Sequence, residues 1–486
     1  MVVKFGSFVR WLVALAVLGA ALRLIFQPDP RDGLRAADLL FTSGRYHEAL
    51  ERYAALAPSL PVAQLRLGMV RTLRGERNAA ERALYAALQR GLAPTDAALA
   101  HLYLGRALTD AGRSDLAERR WQLLEPCRNQ VACVYRAAAR ILAATAALHR
   151  GDTQTAATGY RAALTTPLPP DWAAACRYGL ALLIAPDDAD AARALLAEAA
   201  AELAPADALL APLLPPVGDG PGRLAAVLAA EPTQRSQLLG QFYLDLNLYG
   251  MAEAQFARVD PQGPHALSAA AYAAYARWRA GDAAAGQTRL LALVAAYPDE
   301  PRIRSLLVLA YLTNDASAAR DQLEALSRLS PGNPAVELVW ASWYAAQHDY
   351  EQASLAYERA LKAAAPAEQG SYALVAARFY LATTYELCVL GLPRAELAAH
   401  ELPDDATALT TVAAQRYYCG QFAGAVAAAR TAQQLGAGPE ASYYLGTALA
   451  ALGEREAAKA ALLRAADLAP ASEWCRRAEL ALGRLP

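Results

Sequence analysis

Lysine is almost missing from this 486-residue chain: it stands only at Lys4, Lys362 and Lys459, so arginine carries nearly all the positive charge. The net charge is −1 and the signs are interspersed. A nucleic-acid surface needs clustered Lys and Arg, and none is present. The arginine bias, with the abundance of Ala, reads as the codon bias of a GC-rich genome rather than as phosphate recognition. Valine and isoleucine are sparse and no stretch alternates apolar and polar residues over any length, which excludes an extensive sheet. His47, His101, His149, His265, His348 and His400 are scattered without ligand spacing, so no metal centre is indicated. CxxC, a phosphate-binding glycine loop, GxSxG and HExxH are all absent, and redox, nucleotide, acyl-transfer and zinc-hydrolase chemistry lose their usual signatures. The carboxylate pairs Asp187-Asp188 and Asp404-Asp405 fall beside Pro186 and Pro403, where helix caps or solvated loops account for them. No catalytic residue, metal or cofactor is expected, and the chain reads as a non-enzyme.

What is present is a recurrent spacing: a small residue, a turn residue seven places on, an Ala five further, and a bulky apolar residue four later. It occurs at Gly68, Gly75, Ala80 and Leu84, at Gly105, Gly112, Ala117 and Trp121, and at Gly446, Gly453, Ala458 and Leu462. Degenerate copies include Gly44/Tyr46/Ala49/Tyr53, Gly151/Ala156/Tyr160, Gly281/Gly286/Leu290, Tyr350/Ala353/Tyr357 and Gly420/Phe422/Ala425. The first small residue admits a partner helix at close range and the turn glycine ends the first helix. The Ala lies where the second helix crosses the first, and the bulky residue is expected to fill the gap between adjacent pairs. A period near 34 residues marks a helical solenoid whose units bury their apolar faces only by stacking.

This pattern resembles the tetratricopeptide repeat (TPR) family over roughly residues 33 to 470, most completely at 439–470. The resemblance implies an all-α, right-handed superhelical solenoid of antiparallel helix pairs, binding a protein or extended peptide in its concave groove. The unit near 371–403 departs from the pattern, with a first helix expected to run to Leu390 and a short second one from Pro393. Placed on the family pattern, Tyr275, Trp278, Tyr311, Tyr385, Tyr417 and Tyr443 fall on groove-facing positions of first helices, although a one-residue shift would put these rings in the core. The carboxylate-clamp pattern needs Asn after the small residue, whereas Met69, Arg106, Leu180, Gln241 and Thr447 stand there, so chaperone-tail binding of that kind is not implied.

Residues 1–28 read as an N-terminal membrane anchor: Lys4 and Arg10 precede the apolar run Trp11–Leu22, and Phe8 to Phe26 is long enough to cross a bilayer if Arg23 snorkels. A cleaved signal is the alternative, since Gly19 and Ala21 are small residues at cleavage spacing. With Lys4 and Arg10 before the span and Arg23, Arg31 and Arg35 after it, the positive-inside rule does not decide the orientation, but a short charged stub before an apolar run resembles an export signal, which would leave the array outside the cytoplasm, in the periplasm of a bacterial envelope. Residues 31–203 then form an N-terminal subarray and 236–486 a C-terminal one with a terminal capping helix. Between them, 204–235 is an irregular connector rich in Pro and Gly. Cys127 and Cys133 are spaced to close a small disulfide loop, as suits an oxidising compartment, and Cys388 and Cys419 lie near the ends of consecutive first helices. Buried free thiols are the other reading of both pairs. The expected function is a membrane-tethered scaffold with a protein or peptide partner, and neither nucleic acid nor a small-molecule substrate. The alternatives are an assembly factor for an envelope complex, such as cytochrome maturation, a pilus or a secretion system, or the non-catalytic targeting subunit of an enzyme.

Overall fold

The structure is a computed structural model that describes residues 29–485, except 125–126, 128, 199–203, 205–206, 215–216 and 313–314. The expected anchor therefore lies outside the described residues. Among these residues there are twenty-six α-helices, twenty-four of them in consecutive antiparallel pairs. The N-terminal pairs are α1 Pro30–Thr42 with α2 Tyr46–Leu56, α3 Pro61–Leu73 with α4 Arg77–Gln89, α5 Pro94–Asp110 with α6 Ser114–Gln122, α7 Gln130–His149 with α8 Thr153–Leu164, and α9 Pro170–Ile184 with α10 Ala189–Ala197. A single helix, α11 Gly220–Leu228, follows. Then come α12 Pro232–Asp245 with α13 Tyr249–Phe256, α14 Ala266–Arg279 with α15 Ala283–Ala296, α16 Pro301–Tyr311 with α17 Ala316–Leu329, and α18 Pro334–Ala346 with α19 Tyr350–Ala363. The last pairs are α20 Gln369–Thr383 with α21 Leu392–Glu401, α22 Ala406–Tyr418 with α23 Phe422–Gln434, and α24 Pro439–Ala451 with α25 Arg455–Leu468, before the closing helix α26 Glu473–Leu482.

Local chemistry sets the alternation. Many first helices begin on proline, as at Pro61, Pro94, Pro170, Pro232, Pro301, Pro334 and Pro439, where the missing N–H costs nothing. Several second helices begin on an aspartate whose carboxylate accepts a backbone N–H three residues on: Asp152, Asp282, Asp315 and Asp349. Asp188 and Asp405 cap α10 and α22 in the same way. Most turns between paired helices use a left-handed residue. Gly75 supplies it at φ +68°, while Asn247 and His348 take the same place at 59° and 60°.

The small residue of the motif admits the bulky residue of its own pair. A Cβ added at Gly68 would lie 2.6 Å from Leu84, at Gly105 2.1 Å from the Trp121 ring and at Gly446 2.6 Å from Leu462. Leu462 also shares a core with Cys475 and Ala478 of the next helix, α26. Ala80, Ala117 and Ala458 are buried at the crossings. First helices also pack on the first helices of neighbouring pairs, α3 on α5, α5 on α7, α14 on α16 and α22 on α24, whereas second helices do not pack on their counterparts to that extent. The first helices thus form the inner, more closely spaced face of an array of repeated helix pairs.

Two details differ from expectation. The first helix near 371–403 stops at Thr383 instead of continuing to Leu390. Thr384 and Glu386 adopt left-handed backbones at φ 58° and 42°, and a single π-turn, Leu387–Gly391, leads into α21. Each such non-glycine residue costs about 1 kcal/mol and persists only where its surroundings hold it. Here Cys388 in the π-turn is disulfide-bonded to Cys419 at the end of α22. The 204–235 stretch, in turn, is irregular only in its first part. Gly220 and Pro221 open α11, and Pro232 opens α12.

Candidate functional site

The inner face differs in the two parts of the array. Toward the C-terminus it carries rings. Tyr417 contacts Tyr418, Phe422 and Tyr444, with ring centroids 5.3, 5.9 and 6.1 Å apart. Tyr443 and Tyr444 both reach Trp474 on α26, at 5.5 and 5.8 Å. The Arg477 guanidinium sits 4.9 Å over the Trp474 ring, a cation–π arrangement. The Tyr418 side chain is 48% exposed at the edge of this group. Beside it, burial raises the Glu440 carboxyl above its ordinary range while the Arg378 and Arg477 charges oppose the shift. The result is an aromatic surface with one acidic and two basic groups at its margin.

The six sequence-selected rings are all half-buried, but they do not form one site. Tyr417 and Tyr443 belong to the aromatic surface just described. Tyr275 and Trp278 lie 5.5 Å apart on α14, with Arg279 donating to the Tyr275 hydroxyl. Tyr311, at the end of α16, borders the same local core as that pair. Tyr385 is not on a first helix at all: it follows the left-handed break after α20 and lies 6.3 Å from Tyr350. Sequence reasoning missed Tyr418, Tyr444 and Trp474. The two tyrosines were visible as neighbours of selected positions, but Trp474 lies in the closing helix, where the repeat pattern gives no register. Trp340, Trp343 and Tyr344 make a further cluster on α18. The indole N–H groups of Trp340 and Trp343 donate to Ser327 Oγ and the Ala316 carbonyl, which ties both rings to the preceding pair.

Toward the N-terminus the inner face is covered. Residues 207–214 run across α5 and α7, and Tyr103 donates its hydroxyl to the Leu209 carbonyl at 2.6 Å. Leu210 and Leu213 are buried in the same continuous core as Tyr103 and Tyr135. Nearby, the buried Arg66 on α3 pairs with Asp38 on α1 at 3.3 Å and Asp96 on α5 at 3.5 Å, tying three successive first helices.

The end of the array returns to its beginning. α25 packs on α2, and the Asp467 carboxylate accepts the His47 backbone N–H at 2.9 Å. Glu479 on α26 holds His47 Nδ1 at 3.1 Å and Arg74 at 2.6 Å. Those bonds raise the His47 pKa and depress the Glu479 carboxyl to about 2. Burial raises the neighbouring Asp467 carboxyl. A cavity of about 1690 Å³ opens beside this contact, with Arg45, Thr72, Arg106, Leu213, Arg464 and Arg476 among its walls.

Cys127 and Cys133 are disulfide-bonded. Cys176 and Cys475 are buried free thiols, pushed by burial to about 12 and about 11, so neither is a reactive thiolate at neutral pH. Among the described residues no three His, Cys, Asp or Glu side chains gather as metal ligands. α7 alone among them is long and apolar enough to span a membrane, but it is the first helix of a pair and more than half buried in the array.

No protein-family model matches the chain, and no curated protein matches it. Similar solved structures include the anaphase-promoting complex hetero-tetramer Cut9–Hcn1, at 15% identity and TM-score 0.38 over 96% of this chain and 91% of that one. PilW, a type IV pilus biogenesis factor, is similar at 12% identity and TM-score 0.38 over 44% of this chain and 98% of its own. Yeast Tom70 is similar at 12% identity and TM-score 0.35 over 93% and 95%.

Proposed function

We propose that the chain is a non-catalytic scaffold that holds a protein or extended peptide on the inner face of its repeat array, tethered to a bacterial envelope membrane by its first residues. The observation that carries the binding reading is the aromatic surface of α22, α24 and α26: Tyr417, Tyr418, Tyr443, Tyr444 and Trp474 in continuous ring contact, with Arg477 above and Tyr418 exposed. Rigid rings offer large contact area at low entropic cost, and Trp, Tyr and Arg dominate interface energetics. The tether rests on the apolar run before Pro28, whose burial in a bilayer is hydrophobic and resists salt.

The test is affinity capture from detergent-solubilised membranes. Proteins retained by the full chain should be lost from a Tyr418→Ala/Trp474→Ala variant, and Trp278→Ala and Tyr311→Ala should each weaken retention by more than about 1 kcal/mol if those rings also take part. Equal retention by all variants, with unchanged melting, refutes the aromatic surface as the binding face. The untreated chain should also pellet with membranes through carbonate and high-salt washes; release by either wash refutes the tether.

A further inference from the structure

The three tyrosines that mark the inner face of α5, α7 and α9 all meet the chain's own connector. Tyr103 donates to the Leu209 carbonyl. The Asp207 carboxylate lies near the Tyr135 hydroxyl, and burial together with that charge raises its pKa. The Tyr178 hydroxyl lies where a Cβ on Gly220 would come within 2.5 Å. Tyr103 and Tyr135, on successive first helices, thus meet neighbouring points of 207–209, while Tyr178 meets the start of α11.

The segment also has the internal build of a ligand. The backbone hydrogen bonds described for 207–214 are local: Leu210 and Ala211 N–H to the Asp207 carbonyl, Leu213 to Leu210 and Leu214 to Ala211. Asp207 Oδ1 accepts the Leu209 N–H and fixes the first turn. Ala211–Leu213 is a 3-10 turn. At three residues per turn, Asp207, Leu210 and Leu213 fall on one face. That face is the one turned inward, since Leu210 is 0% and Leu213 2% exposed. The array supplies side-chain hydroxyls and an apolar floor, and no regular helix pairs with the segment.

We propose that the inner face of the N-terminal subarray is a second peptide-binding site, occupied in the free protein by residues 207–214, and that its external ligand is a short helical turn bearing an acidic residue followed by leucines three and six places on. This rests on the scaffold reading above, but on a different face of the array. A partner turn with that pattern displaces the internal copy. The replacement is close to neutral in contacts made, so affinity is set by the local opening of 207–214.

The experiment uses the full chain and a fluorescein-labelled peptide with the sequence of residues 207–214. Wild type should bind the peptide weakly, because the internal copy competes. A Leu210→Ser/Leu213→Ser variant, which weakens the internal copy and leaves the groove walls intact, should bind at least tenfold more tightly by fluorescence anisotropy. Adding Tyr103→Phe and Tyr135→Phe should reverse most of that gain, and a peptide with both leucines changed to serine should not bind. Tyr418→Ala/Trp474→Ala should leave peptide affinity within twofold, which separates this site from the aromatic surface. A folded double variant that gains no peptide affinity, or binds the serine peptide equally, overturns the proposal. If the double variant does not fold, hydrogen exchange on the wild type decides. Amides of Leu210, Leu213 and Leu214 exchanging at least 100-fold faster than those of the α5 and α7 interiors support displacement, and exchange at the same rate as those helices overturns it.

Discussion

The two parts of the array use one repeat in two ways. From Ala37 to Ala276 the buried side chains form a single continuous core that includes Leu210 and Leu213 of the connector. Beyond it the core divides into separate clusters, such as Ala271–Ala310 around α14 to α16, Val308–Val336 around α16 to α18 and Leu462–Ala478 around α25 and α26. In the first region the inner face is filled by connector and by buried polar ties such as Arg66 to Asp38 and Asp96, so distant first helices share contacts. In the second, each pair leans on its neighbours, apart from the contact of α25 and α26 with the first repeats, and the inner face ends in half-exposed rings. A solenoid is additive where only neighbours touch and cooperative where a common element bridges many units. Occupied and cooperative go together here, as do open and additive.

Disulfide reduction gives the largest separation of the two regions. Closing a loop of 31 residues, as Cys388–Cys419 does, restricts the unfolded chain by about 4 kcal/mol, against about 2 kcal/mol for the six-residue separation of Cys127–Cys133. Cys388→Ser should therefore destabilise the C-terminal pairs more than Cys127→Ser destabilises the N-terminal block, as measured by denaturant unfolding of each variant. Equal losses would mean that native-state geometry, not loop closure, sets both.

Identical substitutions at equivalent motif positions probe cooperativity directly. Ala80→Leu and Ala458→Leu each overpack a fully buried helix crossing, at a cost of about 2 kcal/mol. The first should lower hydrogen-exchange protection throughout 37–276, the second only in α24 to α26. If Ala458→Leu also loosens the N-terminal block, the two regions are not energetically distinct.

The smallest effect concerns the contact that joins them. His47 has a raised pKa, so its contribution is complete below the unfolded value of 6.5 and fades as pH rises through the folded value. Glu479 is depressed, so its contribution is complete above the unfolded value of 4.5 and is lost as pH falls toward about 2. Glu51, Arg74 and Asp467 surround the pair, and Arg74 keeps its ion pair with Glu479 after His47 loses its proton. Closure should therefore be strongest between pH 4.5 and 6.5 and weaken modestly above neutrality. A distance label across α2 and α26 should report that change, and His47→Gln should flatten it above pH 6.5. A pH-independent distance in the wild type would remove His47 from the clasp.

Much of the array was legible from spacing alone. Gly75, Gly112 and Gly453 were placed at turns and all have positive φ. Ala80, Ala117 and Ala458 were placed at crossings and all are buried. These positions answer to the nearest partner helix, which is also nearest in sequence, so local periodicity encodes them. The aromatic surface was legible only in part. Tyr417 and Tyr443 fall within it, but Tyr385 was misplaced because nothing in the spacing announces left-handed breaks at Thr384 and Glu386.

What the sequence determined by itself is the helix pair: its length, its proline and aspartate starts, its turn and its crossing. Those features follow from backbone conformation and from side chains a few turns apart. Only the tertiary structure decided that Leu210 and Leu213 fill the first inner face and that His47 meets Glu479, 432 residues away. Such contacts depend on the summed rotation from one pair to the next. Each increment is small and set by packing that no periodic pattern records, so where the curve carries the chain emerges only when every pair is in place.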